Sequence, residues 1–193
     1  MTVGFTLFDT AIGRCGIAWG ESGIVGVQLP LPKESQTRTR LLQRCPGAEE
    51  AAPPPHIRDV ILGMVALMNG EARNLSDVVL DTAGVPDFNR RVYEIARGIE
   101  AGKTLSYGDI AKRLGGVELS RDVGQALGQN PFPIIVPCHR VLAVGGKPGG
   151  FSANGGTVTK LRMLAIEGAY VNHTPSLFDF ADDAPRGTGS GRH

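Results

Sequence analysis

Asn130-Pro131-Phe132-Pro133-Ile134-Ile135-Val136-Pro137-Cys138-His139-Arg140-Val141 is an apolar, proline-fenced run that ends on a cysteine followed by a histidine. Ile134, Ile135 and Val136 have the bulk to anchor a short buried segment, and Pro131, Pro133 and Pro137 keep it extended and out of helix. A thiol is thereby delivered to a defined spot with a base beside it. The thiolate is the nucleophilic form, so an imidazole able to take the proton is what covalent chemistry at Cys138 requires. Neighbours on extended chain point to opposite sides, so the His139 ring is expected to reach the sulfur around a turn or through a water. Taken alone the pair is weak, because a buried cysteine beside a surface histidine is the commoner situation. Its surroundings give it meaning.

Upstream, Pro86-Asp87 opens a helix whose Val92, Ile95, Ala96 and Ile99 make an inward stripe. Ser106-Tyr107-Gly108-Asp109 has the form of a capping box, with Ser106 as N-cap and Asp109 at N3. It starts a short helix through Leu114 that Gly115-Gly116 ends, and a second helix is expected over residues 120–129. Two short helices around a glycine-containing turn make a helix-turn-helix, an element often used on DNA. In the second, Val123 and Leu127 hold the core, and the opposite side is Arg121, Gly124, Gln125 and Gly128. Each glycine costs a helix about 1 kcal/mol relative to alanine. That cost makes sense where another backbone or a nucleic acid must come very close.

Residues 1–85 read differently. Apolar runs at 2–9, 14–19 and 23–29, separated by Thr10-Ala11-Ile12-Gly13 and Gly20-Glu21-Ser22, suggest an antiparallel meander. A polar helix follows over residues 34–44 with Leu41 and Leu42 facing in, then a proline-rich connection at 51–55. Residues 56–68 place Ile57, Val60, Ile61, Met64, Val65 and Met68 at helical spacing, and residues 78–81 are a candidate final strand. This half is expected to be a scaffold without chemistry.

At 193 residues the chain is long enough for a sizeable core, as one domain or two small ones. Its formal net charge is only +1, but residues 86–170 carry 11 Lys/Arg against 7 Asp/Glu, whereas residues 1–85 carry 7 against 9. The positive surplus sits with the motifs, as suits a segment that meets phosphate. Three cysteines without metal-ligand spacing argue against a disulfide framework and for a reducing compartment. Cys15 and Cys45 read as structural, and no metal is expected. There is no basic-then-apolar leader, and no apolar stretch approaches the roughly 20 residues of a membrane span. A soluble, cytoplasmic protein without a membrane partner is expected, nucleoid-associated if bacterial.

The ordered set Ser106-Tyr107, Ser120 through Asn130, Pro137-Cys138-His139-Arg140, Gly149-Gly150-Phe151-Ser152, Lys160-Leu161 and Glu167-Gly168 resembles the O6-alkylguanine-DNA alkyltransferases, the methylated-DNA–protein-cysteine methyltransferases. The resemblance is strongest from Pro86 to Gly168 and only architectural before that. It implies an α+β fold: an N-terminal antiparallel sheet with helices (ribonuclease-H-like) over residues 1–85, and a mainly helical DNA-binding and alkyltransferase domain over 86–170. It implies direct-reversal DNA repair, in which a monomer without cofactor flips O6-alkylguanine, and possible O4-alkylthymine, out of double-stranded DNA containing alkylated bases. The alkyl group then passes irreversibly to Cys138. In that scheme His139 is the base, oriented by Glu167, Tyr107 donates to the base as negative charge builds, and Asn130 ties the recognition helix to the active-site strand. Ser106, Arg121, Gly124, Gln125 and Gly128 meet DNA, with Arg121 filling the gap left by the extruded nucleotide. Val141, Pro148, Gly149, Phe151 and Ser152 form the substrate pocket.

Displacement at an alkyl carbon passes through no tetrahedral intermediate, so it needs a thiolate and something to neutralise the departing guanine rather than an oxyanion hole. The product thioether is a poor electrophile and no second nucleophile is evident, so the protein is expected to act once. Asp122 and Gln129 depart from the family pattern and weaken attraction to phosphate. The loop from Phe151 to Gly156 is longer than in some relatives, which bears on the size of alkyl group accepted. Three other readings fit less well. A damage sensor of the alkyltransferase-like kind lacks the cysteine, a transcription regulator needs more base-reading side chains than the second helix offers, and a cysteine hydrolase does not suit an adjacent Cys and His. Residues 171–193 turn acidic, then Gly/Ser-rich, and are expected to be disordered. Within them Ser176-Leu177-Phe178 resembles the Leu-Phe core of peptides that bind bacterial sliding clamps.

Overall fold

The computed structural model describes residues 2–169; the tail and its Ser176-Leu177-Phe178 motif lie outside the described residues. The chain opens with strands β1 (Gly4–Thr10), β2 (Gly13–Gly20) and β3 (Gly23–Gln28). Both junctions are tight: Thr10 pairs with Gly13 across the two-residue loop Ala11-Ile12, and Gly13, just after it, takes φ +125°. The expected meander is therefore present, but the sheet is mixed rather than purely antiparallel. Helix α1 (Glu34–Arg44) carries the chain back so that a short strand β4 (Glu49–Glu50) lies parallel to β1, giving the order β3-β2-β1-β4. Two consecutive glutamates gave no strand signal; their pairing is imposed by that crossover. The strand expected at residues 78–81 shrinks to one parallel bridge between Ile24 and Leu80.

Leu41 is buried under α1 with Phe5, Ala18 and Cys45, while Leu42 is only half-buried. Helix α2 (Pro55–Met68) buries Ile57, Met64, Leu67 and Met68. These join Ile17, Trp19, Ile24 and Val27 of the sheet in one cluster, which continues through Val92, Tyr93 and Ala96 of α3 (Asp87–Arg97). It reaches Ile110 and Ala111 of α4 (Tyr107–Leu114) and Val123, Ala126 and Leu127 of α5 (Ser120–Gly128). A single apolar core thus spans both halves of the sequence. Among the described residues no helix is long and apolar enough to cross a membrane.

Helix α4 starts on the capping box read from sequence: Ser106 Oγ accepts from the Asp109 N–H at 3.0 Å, and Asp109 accepts from the Ser106 N–H at 2.8 Å. It ends at Gly115, whose φ of +143° an L side chain rarely adopts. A 3-10 turn, Val117–Leu119, runs directly into α5. Tyr93 of α3 donates its hydroxyl to the carbonyl of Ala126 at 2.7 Å, fixing how deep α5 sits. A parallel pair, β5 (Leu105–Ser106) with β6 (Val141–Leu142), brings the start of α4 beside the cysteine turn. Helix α6 (Gly156–Ile166) closes the described chain.

The proline-fenced segment is not extended. Residues 131–136 form turns and Cys138–Arg140 is a 3-10 turn. The prolines exclude α-helix but do not dictate a straight chain, and Asn130 folds it back. Its Oδ1 accepts from the Phe132 N–H at 2.9 Å while its Nδ2 donates to the Val136 carbonyl at 2.9 Å. The Val136 N–H closes the same loop on the Phe132 carbonyl at 2.8 Å. At its centre Ile134, buried, sits at φ +73°, a strained conformation for a β-branched residue that only a well-determined surround sustains.

Candidate active site

Cys138 begins its 3-10 turn with the sulfur in a buried position at the floor of a cavity. Burial pushes the thiol above its ordinary pKa, but the Asn130 amide, the positive charge of Lys160 and the backbone N–H groups of Cys138 and His139 all favour the thiolate. The resting group is a thiol in a setting prepared for its anion, and reaction needs a base.

His139, buried next to it, places Nε2 3.0 Å from Glu167 Oε1. A carboxylate only accepts, so Nε2 carries the proton and Nδ1 presents its lone pair. Nδ1 is buried and hydrogen-bonds to no group among the described residues. A buried acceptor left unpaired costs about 1–3 kcal/mol, a cost that fits a base waiting for a proton. Burial pushes the imidazole below its ordinary pKa, more than the Glu167 carboxylate raises it, so the ring is neutral near pH 7. The 3-10 turn, rather than an extended chain, sets the His139 ring relative to Cys138, and no direct hydrogen bond joins the two.

Glu167, capping the end of α6, also receives Arg140 through a two-point contact: Nε to Oε2 at 2.9 Å and an η nitrogen to Oε1 at 2.7 Å. Arg140 also donates to the Ile99 carbonyl. Burial opposes the Glu167 charge, but hydrogen bonds from His139 and Arg140 outweigh it and hold the carboxyl at about 2. In the sequence Arg140 stands only as the last residue of the Pro-Cys-His-Arg run, with no acid near it in the chain to mark this pair.

Lys160 joins the same site. It is fully buried on α6, and its Nζ donates to the Val141 carbonyl at 2.6 Å, to Tyr107 Oη at 3.3 Å and to the Gly150 carbonyl at 3.4 Å. It also faces the Tyr107 and Phe151 rings at 5.5 and 5.9 Å. Burial lowers it to about 8, so at pH 7 it remains a cation near the sulfur and bonded to Tyr107. Burial raises the Tyr107 phenol, which therefore remains a proton donor across neutral pH.

The cavity above the sulfur has a volume of about 550 Å³, and its wall includes Tyr107, Arg121, Gly124, Gly128, Phe151 and Ser152. A buried thiol, a carboxylate-held imidazole and the open side of α5 thus meet at one cavity. Residues 87–169 match the family model described as 6-O-methylguanine DNA methyltransferase, DNA binding domain. The methylated-DNA–protein-cysteine methyltransferase of Methanothermobacter thermautotrophicus is 31% identical over 153 residues, spanning 79% of this chain and 78% of the relative. That of Methanosarcina acetivorans is 38% identical over 165 residues, 86% of this chain and 98% of its own. The crystal structure of Mycobacterium tuberculosis OGT in complex with DNA aligns with a TM-score of 0.68 at 32% identity, covering 86% of this chain and 92% of that one.

The chain belongs to the methylated-DNA–protein-cysteine methyltransferase family.

Its chemistry is DNA repair by alkyl transfer. In this methyltransferase the cavity wall holds Phe151 and Ser152 of the expected pocket residues, together with Cys138, Tyr107, Arg121, Gly124 and Gly128, for which other roles are expected. Gln125 is exposed on α5 off that wall, and Ser106 is occupied by its capping box. Three of the expected pocket residues stand behind the wall. Val141 is fully buried and offers its carbonyl to Lys160. Pro148 and Gly149 lie in the loop outside the lining, and Gly149, at φ +66°, leaves room for the Tyr107 ring, which a Cβ there would approach to 3.0 Å. Ala143, Val144 and Gly150 take their places because the chain after β6 turns toward the cavity earlier than motif spacing suggests. The half assigned no chemistry also grips the active-site loop. The Val27 N–H donates to the Pro131 carbonyl at 2.8 Å, and Arg44 donates to the Asn130 carbonyl at 3.2 Å. Among the described residues no group of three or more His, Cys, Asp or Glu side chains is placed to hold a metal.

Proposed function

We propose that this chain repairs duplex DNA by drawing an O6-alkylated guanine out of the stack into the 550 Å³ cavity, and by taking the alkyl group on Cys138 once only. The observation that carries the reading is the junction of the buried Cys138 sulfur with the glycine side of α5 at one cavity. His139 Nδ1 takes the thiol proton through one bridging water, and Glu167 holds the resulting imidazolium. Sulfur then bonds the alkyl carbon as the carbon–O6 bond breaks. The purine leaves as an anion, which a hydrogen bond from Tyr107, itself polarised by Lys160, stabilises until the base takes a proton from solvent. The stable thioether product supports single use. The same geometry suits O4-alkylthymine, a smaller base with the same displacement chemistry. Residues 1–85 act as the scaffold, and the strand order β3-β2-β1-β4 supports a ribonuclease-H-like sheet. Residues 86–170 carry the chemistry.

Helix α4, the glycine turn and α5 act as a helix-turn-helix that presents α5 to the minor groove. The glycines of α5 support this. A Cβ at Gly128 would meet nothing within 4 Å, and one at Gly124 only the Tyr107 ring at 3.9 Å, so neither is required by the protein's own packing. Their reason lies outside the chain. Gly124→Ala should therefore raise stability by about 0.5–1 kcal/mol through helix propensity while slowing reaction with duplex substrate. A thermal melt and a single-turnover assay read the two changes, and a variant both more stable and equally reactive would remove DNA from that face.

Arg121, exposed at the start of α5 and on the cavity wall, is suited to fill the space left by the extruded nucleotide. Arg121→Ala should slow transfer from duplex far more than from free O6-benzylguanine, since only the duplex requires extrusion. Equal losses on both substrates would assign Arg121 to the fold instead. The reading as a whole is tested by incubating the protein with a duplex containing one O6-methylguanine and measuring intact mass. One added methyl per chain, with no turnover beyond one equivalent, is expected; sustained turnover would overturn single use.

A further inference from the structure

A second cavity, about 580 Å³, lies at the far end of α5 and shares Leu127, Gly128, Cys138, Phe151 and Ser152 with the first. Its opposite side comes from the sheet and from α1: Gln28, Leu29, Arg40 and Arg44. Arg40 and Arg44 are one helical turn apart on α1, and neither has a carboxylate within 4 Å among the described residues, unlike Arg38 of the same helix, which pairs with Glu50 at 2.6 Å. Arg40 reaches only Gln43 Oε1, at 3.5 Å. Arg44 donates to the carbonyls of Asn130 and Val27. Burial holds the Arg44 guanidinium below its ordinary pKa, and the Arg40 charge beside it pushes the same way. Two like charges placed an i,i+4 step apart repel, and an anion between them relieves that repulsion.

We propose that Arg40 and Arg44 bind a backbone phosphate of the DNA strand that carries the extruded nucleotide, so that the N-terminal half is part of the DNA-binding surface. The proposal rests on the DNA reading given above. Helix α5 itself brings Arg121 and Asp122, no net charge, to a polyanion. Its open side runs from the first cavity over Gly128 into the second, with no Cβ in the way. A strand whose base reaches Cys138 and whose backbone follows that side arrives at the two arginines. The missing positive charge is thus supplied by an element distant in sequence. Gln129, on the same cavity wall, already pairs with Asn89 at 3.2 Å and leaves the anion to the arginines.

The test is equilibrium binding of the full chain, in a Cys138→Ala background, to a duplex containing one O6-methylguanine across a series of salt concentrations. Each neutralised phosphate contributes about 0.9 to the slope of log affinity against log salt. Arg40→Gln should lower that slope by at most about 0.9, since Arg44 still faces the same phosphate, and weaken binding several-fold at low salt, with the melting temperature unchanged; Arg40→Lys should restore both. Arg40 is the residue to vary first, because Arg44 also holds the Asn130 carbonyl. An unchanged slope in Arg40→Gln would overturn the proposal while leaving the repair reading intact. A loss confined to adducts bearing a carboxylate on the alkyl chain, with the slope unchanged, would place the anion on the substituent and overturn it equally. Absence of duplex binding with Arg40 intact would overturn both readings.

Discussion

Cys138→Ala should abolish alkyl transfer from an O6-methylguanine duplex, with no residual mass gain on the chain, and should leave duplex binding and the fold in place. In the proposed reaction the Cys138 sulfur is the acceptor atom, and no other described cysteine can substitute: Cys15 and Cys45 are buried elsewhere in the core, and burial pushes both thiols above their ordinary pKa, Cys15 to about 12. Alanine fits the space, and the loss of one polarised sulfur contact with Asn130 is small beside the bonds that Asn130 keeps to Phe132 and Val136. Intact mass and a binding isotherm decide it. Methylation persisting in the variant would move the acceptor to another residue.

Glu167→Gln should be the most damaging conservative change, for rate and stability together. Its side chain is buried, holding His139 on one oxygen and Arg140 on both. Removing one partner of a buried ion pair strands the other charge and costs about 3–5 kcal/mol. Glu167 is depressed from 4.5 to about 2 in the folded chain. Its stabilisation is therefore complete above pH 4.5 and lost as pH falls toward 2, so the gap between wild type and variant should narrow over that interval. A gap constant down to pH 2 would deny Glu167 this role. Transfer should slow at least about tenfold, as expected when a general base loses its orienting partner. The carboxylate also raises the pKa of His139, so the acid limb of the rate, already below the ordinary histidine value, should move lower still in the variant. A slower reaction with an unmoved acid limb would assign Glu167 to structure alone.

Local signals in the chain predicted what local physics controls. Helix α4 has its start written in Ser106 and Asp109 and its end in Gly115, because a cap and a left-handed residue act within a few positions. Helix α1 has the predicted bounds, and the burial of Val123 and Leu127 follows from their i,i+4 spacing. The Cys138-His139 pair and the distant Glu167 were legible through motif order, and the structure brings them together. The shape of residues 131–137 was not legible, because proline forbids helix without choosing between extended chain and turn. That choice is made by the Asn130 side chain and by packing that holds Ile134 at φ +73°.

The sequence by itself determined the short elements, the placing of a cysteine beside a histidine, and the open glycine side of α5, since each depends on residue type and near spacing. Only the tertiary structure decided the parallel edge strand β4, the ion pair of Arg140 with Glu167, the burial of Lys160 against Tyr107, and the approach of α1 to the active-site loop. Each of those depends on where two segments far apart in the chain meet, and that is fixed by the common core rather than by any residue's neighbours.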